Sequence, residues 1–173
     1  MYKTLLTGAA AALILAAQPA SAAKPILGVV ELGKTPIADV QKALAKKGCG
    51  SFESDGGLKI GSGCFNLPGS PEVQLYGRDA VNAVVLSYSK GDTFEKYLGS
   101  LRKTYGKPIK LQQPFVGNKY ALWKTKDVVI ELEEPHMSFE GSLIYLTPDL
   151  YKSIQDANKK EQQQKKDDLD QLL

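Results

Sequence analysis

The residues most able to carry chemistry are two cysteines, one histidine and a short acidic run. A nucleophile needs a neighbouring base, and His136 is the only histidine that could serve Cys49 or Cys64. A carboxylate pair can hydrolyse glycosides, but Glu131 and Glu133 alternate with apolar residues, which is typical of the solvated face of a strand. We therefore expect a protein that is not an enzyme, with no catalytic residue, no metal site and no cofactor.

The first residues have the pattern of an export signal. Lys3 supplies a positive charge, residues 5–17 are apolar, and Ala20-Ser21-Ala22 is a small-residue cleavage site. The apolar run is shorter than the roughly 20 residues that span a bilayer, and no cysteine follows the cleavage point to carry a lipid. We expect cleavage near Ala22 and a periplasmic protein with no stable membrane anchor; a secreted protein is the alternative.

Export favours a structural interpretation of Cys49 and Cys64. An even pair of cysteines in an exported chain is typical of a disulfide. The competing hypothesis is a metal or redox pair, which the lack of Cys-X-X-Cys spacing and the single histidine disfavour. A disulfide would join the end of the first helix to the segment that carries Cys64, and would stabilise the fold by roughly 3 kcal/mol.

The net charge argues against a nucleic-acid partner. The chain has 22 Lys and Arg against 19 Asp and Glu, a formal net charge of +3. Loss of Lys3 with the signal lowers this to +2, because 21 basic residues then face 19 acidic ones. Nucleic-acid binding needs a clustered basic face, which so small a net charge does not indicate. The partner we expect is therefore a protein of the cell envelope.

The elements that position these residues follow a pattern that recurs along the chain. Gly91 follows Gly33 by 58 residues, and Gly106 follows Gly48 by the same interval. Each pair of glycines brackets a helical pattern, and strand-like segments follow each helix. We predict an α+β fold of two tandem units, each with one helix followed by three to four antiparallel strands. The predicted divisions are a signal peptide at 1–22, units at 23–90 and 91–150, and a charged C-terminal helix or tail at 151–173.

Local signals predict where the elements lie. Thr35 and Pro36 are typical of a helix start. The second helix is expected to begin at Asp92 or Thr93 and to end at Gly106. The segment 51–60 contains a hairpin signal, and further strands are expected at 26–30, 64–67, 72–76, 81–88, 109–112, 120–125, 128–133 and 139–146.

Exposed aromatic side chains are typical anchors of protein-binding surfaces. Alternation along its strand predicts that Tyr76 points outward, and Phe115 lies in an expected loop. Tyr120 and Trp123 occupy opposite faces of one strand, so one of them should be exposed. With Arg78 in a neighbouring turn, these residues are the candidate partner-binding set. Ordinary sheet packing is the alternative interpretation for each aromatic residue.

Two short motifs resemble a superfamily of small exported domains. Residues 32–44, which begin Leu-Gly-Lys-Thr-Pro, resemble its helix entry; the segment 103–108 followed by Ala121-Leu122-Trp123 is similar to its "KYG-x-P … W" pattern. The superfamily includes outer-membrane assembly lipoproteins of the SmpA/OmlA type and the β-lactamase inhibitor protein. The resemblance implies tandem helix-plus-sheet repeats and, as in the inhibitor, a sheet face that binds an enzyme. This chain has one cysteine pair instead of one per repeat and no lipid-anchor cysteine, so no individual binding residue carries over.

These observations favour a non-enzymatic protein-binding module that acts through a sheet face and adjacent loops, in an inhibitor, immunity or envelope-assembly role. One alternative is a binder of a small molecule or cell-wall fragment in an aromatic cleft between the units. Another is a hydrolase whose site the sequence patterns do not reveal. An open sheet face would favour the first hypothesis, a pocket lined by Trp123 and tyrosines the second, and a carboxylate partner for His136 the third.

Overall fold

The computed structural model describes residues 25–54, 56–61 and 64–172. The expected signal peptide at 1–22 and its cleavage site at Ala22 lie outside the described residues. So do residue 55 of the expected hairpin, residues 62–63, and Leu173.

Within the described ranges, a helix followed by four strands occurs twice, and a third helix follows the last strand. The elements are α1 (Ile37–Ala45), β1 (Ser51–Ser54), β2 (Gly57–Ile60), β3 (Glu72–Tyr76), β4 (Ala83–Ser89), α2 (Thr93–Tyr105), β5 (Lys110–Gln112), β6 (Lys119–Lys124), β7 (Val129–Glu134), β8 (Glu140–Leu146) and α3 (Pro148–Leu172).

The eight strands form one antiparallel sheet in the order β1-β2-β3-β4-β8-β7-β6-β5. Its two four-strand groups meet where β4 pairs with β8, and Ser87 lies opposite Ser142 in that pairing. Helices packed on an antiparallel sheet make an α+β fold, which confirms the predicted fold class and the C-terminal helix. The origin of the two groups by duplication stays a prediction.

One face of the sheet holds the main core, because alternate strand residues point toward α1 and α2. α1 buries Val40 and Leu44, and α2 buries Phe94, Leu98 and Leu101. These spacings of three and four place each set on one side of its helix. Full burial of one such side chain contributes about 1.5–3 kcal/mol. On the sheet the core contains Leu58, Ile60, Val73, Leu75, Val84, Leu86, Ala121, Trp123, Ile130, Leu132 and Leu143.

Trp123 fixes the end of α2 to the sheet. Its side chain is 2% exposed, and its indole Nε1–H donates a hydrogen bond to the carbonyl oxygen of Gly106 at 2.9 Å. Gly106 caps α2 with a φ of 78°, a left-handed conformation that glycine adopts without a Cβ clash. Because a buried indole N–H needs such a partner, this contact sets where the chain leaves α2 for β5.

A glycine in β8 makes room for a buried tyrosine in β4. Gly141 lies opposite Tyr88 in the strand pairing, and a Cβ on Gly141 would overlap the Tyr88 ring. The Tyr88 hydroxyl donates to the carbonyl oxygen of Glu133 at 3.0 Å, and its ring centroid lies 5.2 Å from that of Tyr97. The ring therefore crosses β8 to reach β7, and it couples three strands to α2.

The other face of the sheet carries α3 at one end. Leu150 and Tyr151, in the first turns of α3, pack against a small buried cluster on that face. Lys124 Nζ lies 4.3 Å from the centroid of the Tyr151 ring, which adds a cation–π contact. The buried residues of this cluster are Ala83, Leu122, Val129 and Leu146.

Beyond its first turns α3 is exposed to solvent, and every residue from 156 to 168 is exposed. Pairs one turn apart, such as Glu161 with Lys165 at 2.6 Å, stabilise such a helix by a few tenths of a kcal/mol each. The segment predicted as a charged helix or tail is therefore a helix to Leu172. Among the described residues, no helix is long and apolar enough to cross a membrane.

Two short strand predictions are wrong. Residues 26–30 form a turn closed by an isolated bridge between Ile26 and Val30, because Leu27 and Gly28 have φ of 55° and 71°, far from strand values. Residues 64–67 form bends and no strand, although apolar and cysteine side chains in this segment still pack against the core.

Alanine at Gly141 and at Gly99 should change stability in opposite directions. At Gly141 the added methyl meets the Tyr88 ring, so the free energy of unfolding should fall by about 1–3 kcal/mol. Gly99 lies inside α2 with nothing within 4 Å of an added Cβ, so Gly99→Ala should raise it by about 0.5–1 kcal/mol. Urea denaturation of both variants measures the difference. A Gly141→Ala protein as stable as the parent would show that Tyr88 does not pack across β8.

Candidate functional site

The sheet face opposite α1 and α2 becomes polar beyond the small cluster under α3. We call this part the open sheet face. Its centre is the facing pair Ser87 and Ser142, and both side chains are short, so the floor of the face lies close to the backbone. Larger residues flank the centre on neighbouring strands: Glu72 and Gln74 on β3, Glu131 and Glu133 on β7, and Tyr120 on β6.

Two shallow depressions lie along this face. One, of about 220 Å³, is lined by Tyr120, Glu133 and Lys110 among others. The other, of about 210 Å³, is lined mainly by serine and glutamate, including Ser87 and Glu140. Both are smaller than the roughly 300 Å³ at which small-molecule pockets begin, so each suits a side chain of a partner better than a whole ligand.

Tyr120 is held in place on the open sheet face by a carboxylate. Its hydroxyl donates to Oε1 of Glu131 at 2.8 Å, and Lys110 Nζ lies 5.1 Å from its ring centroid. Burial, and then the hydrogen bond to Glu131, raise the pKa of Tyr120 well above its usual value. The phenol therefore stays protonated at neutral pH and acts as a hydrogen-bond donor to Glu131.

Two loops at one end of the sheet present apolar side chains. We call them the tip loops: residues 113–118 between β5 and β6, and residues 135–139 between β7 and β8. They are neighbours because Lys119 pairs with Glu134 where the strands meet the loops. Asn118 Oδ1 accepts a hydrogen bond from the backbone N–H of His136 at 2.7 Å. Their exposed apolar residues are Phe115, Val116, Met137 and Phe139.

Hydrogen bonds and ion pairs connect the first tip loop to α2. Gln113 Nε2 donates to Glu95 Oε2 on α2 at 3.0 Å. Lys119 Nζ lies 3.6 Å from Glu95 Oε1 and 3.2 Å from Glu134 Oε1. Glu134 ends β7 and points to the helix side of the sheet, where it is buried. A buried carboxylate needs a charge partner, and Lys119 supplies it while linking the loop to α2.

The predicted partner-binding residues are spread over the molecule. Tyr76 and Tyr120 lie on the same face but on β3 and β6, four strand spacings apart, which is roughly 19 Å. Tyr76 is half-buried beside the cluster under α3, and Arg78 is exposed in the following turn. Phe115 lies on a tip loop at the opposite end. The structure does not bring these residues together.

Trp123 needs a correction, because it cannot belong to a contact surface. Of the two residues on β6, Trp123 is buried in the main core and Tyr120 is the one that reaches the surface. Alternation along β6 predicts that the two side chains point to opposite faces. It does not predict which face α2 covers, because that depends on contacts between residues far apart in the sequence. The aromatic cleft lined by Trp123, which the small-molecule hypothesis required, is therefore not formed by that side chain.

The two cysteines are half-buried thiols that lie side by side. The Cys49 thiol is 3.9 Å from the carbonyl oxygen of Cys64. A hydrogen bond with Cys49, and then burial, raise the pKa of the Cys64 thiol. The disulfide between them stays a prediction, which the closeness of the two residues makes straightforward to test.

Among the described residues, His136 and Glu131 are not arranged as the catalytic hypotheses require. The hydrogen bond of His136 to Asn118 is made by its backbone, and the residue sits exposed on a tip loop. Glu131 is engaged by Tyr120. Among the described residues, no group of three or more His, Cys, Asp and Glu side chains is placed to hold a metal ion.

Comparison with known proteins leaves the family open. No protein-family model matches the sequence, and no curated protein matches it. Among solved structures, the crystal structure of a DUF4309 family protein (YjgB) from Bacillus subtilis subsp. subtilis str. 168 aligns over 67% of this chain and 80% of that chain, with a TM-score of 0.40 and 11% identity. A similarity of that size carries no argument about function.

Glu133→Gln should stabilise the protein at neutral pH. Burial, and then the charge of Glu131, raise the pKa of Glu133 above its usual 4.5. The folded state thus holds this proton more tightly than the unfolded state, so stability falls as the pH rises from 4.5 through the folded-state pKa. Glu133 is only half-buried, so solvent limits the effect to less than about 1 kcal/mol. Melting temperatures at pH 7 and in more acidic buffer measure it; a lower melting temperature for Glu133→Gln at pH 7 would contradict it.

The mature protein purified under oxidising conditions should contain no thiol that reacts with Ellman's reagent after denaturation. Reduction, or the double change Cys49→Ser and Cys64→Ser, should lower the free energy of unfolding by roughly 3 kcal/mol, because the unfolded chain regains loop entropy. Two reactive thiols in the oxidised, denatured protein would exclude the disulfide.

Proposed function

We propose that this protein is an exported, non-enzymatic module that binds another protein of the cell envelope through its open sheet face. The observation that carries the proposal is the polar, shallow face centred on Ser87 and Ser142. It is backed by a buried core on the other side of the same strands. A face made of strands that are hydrogen-bonded on both sides changes little on binding. Less free energy is therefore spent on ordering this surface when a partner binds.

The chemistry of the face suits a protein partner. Tyr120 presents an aromatic ring and a protonated hydroxyl, and the adjacent carboxylates accept hydrogen bonds. Tyrosine near the centre of an interface, surrounded by polar groups, is a frequent hot spot. The depressions beside Tyr120 and Ser87 are sized for single side chains. The sequence resemblance to a superfamily in which one member binds an enzyme by its sheet supports the same proposal.

Ser142→Arg should abolish partner capture. An arginine at the centre of the open sheet face would fill the floor without removing a core side chain, since Ser142 faces away from α1 and α2. The mature chain, residues 23–173, carries an affinity tag and captures proteins from an envelope extract, with mass spectrometry to identify them. We expect a stoichiometric partner with the parent protein and at least a tenfold loss with Ser142→Arg.

Ser100→Arg is the matched control, because Ser100 is exposed on α2 on the other side of the sheet. It should capture the partner as the parent does. Tyr120→Phe should weaken capture less than Ser142→Arg, because it keeps the ring and loses one hydroxyl. Equal loss with both arginine variants, or a parent protein that captures nothing, would refute binding through this face and direct attention to small ligands.

A further inference from the structure

One carboxylate on the open sheet face has no partner for its charge. Glu133 on β7 lies between Ser142 on β8 and Tyr120 on β6, in a row that crosses the sheet. Its side chain is half-buried, yet among the described residues no ion pair or hydrogen bond involves its carboxylate. The neighbouring Glu131 differs, because its carboxylate accepts the hydroxyl hydrogen of Tyr120 at 2.8 Å. Folding therefore removes the Glu133 charge partly from water without compensating it.

The charge of Glu133 works against the folded state. Burial, and then the charge of Glu131, raise the pKa of Glu133, so the ionised form is disfavoured at this position. A glutamine would fill the same space without that cost, and no contact in the described part of the chain requires a carboxylate here. A carboxylate that is disfavoured by its own surroundings and open to the surface is suited to pair with a cation from another molecule.

The depression beside Glu133 has room for one side chain. Its volume is about 220 Å³, and Tyr120, Gln112 and Asn118 line it together with Glu133. A planar guanidinium donates two parallel hydrogen bonds to one carboxylate and also stacks on an aromatic ring, whereas an ammonium group acts as a point charge. A carboxylate and a tyrosine ring on adjacent strands therefore match the side chain of an arginine better than that of a lysine.

The charges around this depression are negative on balance, although Lys110 and Lys119 also line it. Lys119 contacts carboxylates on the helix side of the sheet. Lys110 lies on β5, two strand spacings or roughly 10 Å from β7, with its Nζ 5.1 Å from the centroid of the Tyr120 ring. The charged residues in and next to the depression are three lysines (Lys90, Lys110 and Lys119) and five glutamates (Glu95, Glu131, Glu133, Glu134 and Glu140), which give a net charge of −2.

We propose that this depression binds the guanidinium group of an arginine on the protein partner, with Glu133 as the charge partner and the Tyr120 ring beside it. The inference rests on the proposed function, because the arginine belongs to the protein that the open sheet face binds. The guanidinium gives Glu133 the partner that its own chain lacks, and Tyr120 keeps its hydrogen bond to Glu131. A charged pair that is partly shielded from water contributes more than one on an open surface, so this arginine acts as an anchor of the interface.

Nuclear magnetic resonance of the mature protein tests the site with a defined probe, N-acetylarginine methylamide. We expect weak binding, with a dissociation constant of about 1 mM or above because a single side chain supplies the contact. Changes in amide chemical shift should be confined to residues 118–120, 131–135 and 142. N-acetylcitrulline methylamide, which has nearly the same shape and no charge, should not bind. Added salt should weaken binding of the arginine compound, because the attraction is partly screened.

Glu133→Gln should weaken binding of the arginine compound about fivefold or more, because it removes the charge and keeps the shape. The matched control is Glu72→Gln on the same face. The Glu72 carboxylate pairs with Lys59 at 2.9 Å, and three strand spacings, roughly 14 Å, separate β3 from β7. The control should change binding less than about twofold, since salt screens charges at that distance. Equal loss with both variants, equal binding of the citrulline compound, or no shift changes at these residues would overturn the proposal.

The two proposals fail in different ways. If the parent protein captures a partner from envelope extract and Glu133→Gln captures it equally well, binding through the open sheet face stands and the arginine anchor is refuted. If the parent captures no partner while the arginine compound binds as described, the protein-binding proposal is refuted and the depression is a guanidinium site for a smaller ligand.

Discussion

β4 and β8 pair from Ala83 opposite Leu146 to Ser89 opposite Glu140, and this pairing holds both four-strand groups in one sheet. Each of the two strands serves two surfaces. On one side Tyr88 lies in the core beneath α2, and on the other Ser87 lies at the centre of the open sheet face. A shift of the pairing by one residue would exchange these sides, so the register fixes the core and the candidate surface together.

The open sheet face and the tip loops point in different directions. The open sheet face looks sideways from the strands, whereas the tip loops extend the strands at one end. α3 begins at the other end, after β8. This separation follows from an antiparallel sheet, in which every second loop lies at the same end. A partner bound on the open sheet face would therefore leave the tip loops uncovered.

How far the sequence predicts the structure depends on whether a signal is local. The alternation in β7 and the helix signals around α2 are local, and they give the correct elements. The strand prediction for residues 26–30 is wrong, because their apolar side chains give no sign of the positive φ of Leu27. The burial of Trp123 was not predictable from alternation, since the choice of face depends on where α2 packs. Tyr120 and Phe115 were found as surface candidates. Met137 and Phe139 were missed, although an apolar pair in a short loop between two strands was a usable signal.

The position of β8 has a consequence for the order of events during folding. It is the last strand in the sequence, yet it lies in the middle of the sheet, between β4 and β7. Residues 83–89 and residues 140–146 cannot complete their interstrand hydrogen bonds until both segments are present. Closing so long a loop is slow compared with forming local contacts. While the chain is still being synthesised, the centre of its sheet is missing, and the polypeptide remains open until nearly all of it is available. The export that we propose would make use of that delay, because a chain that crosses a membrane unfolded must not fold first.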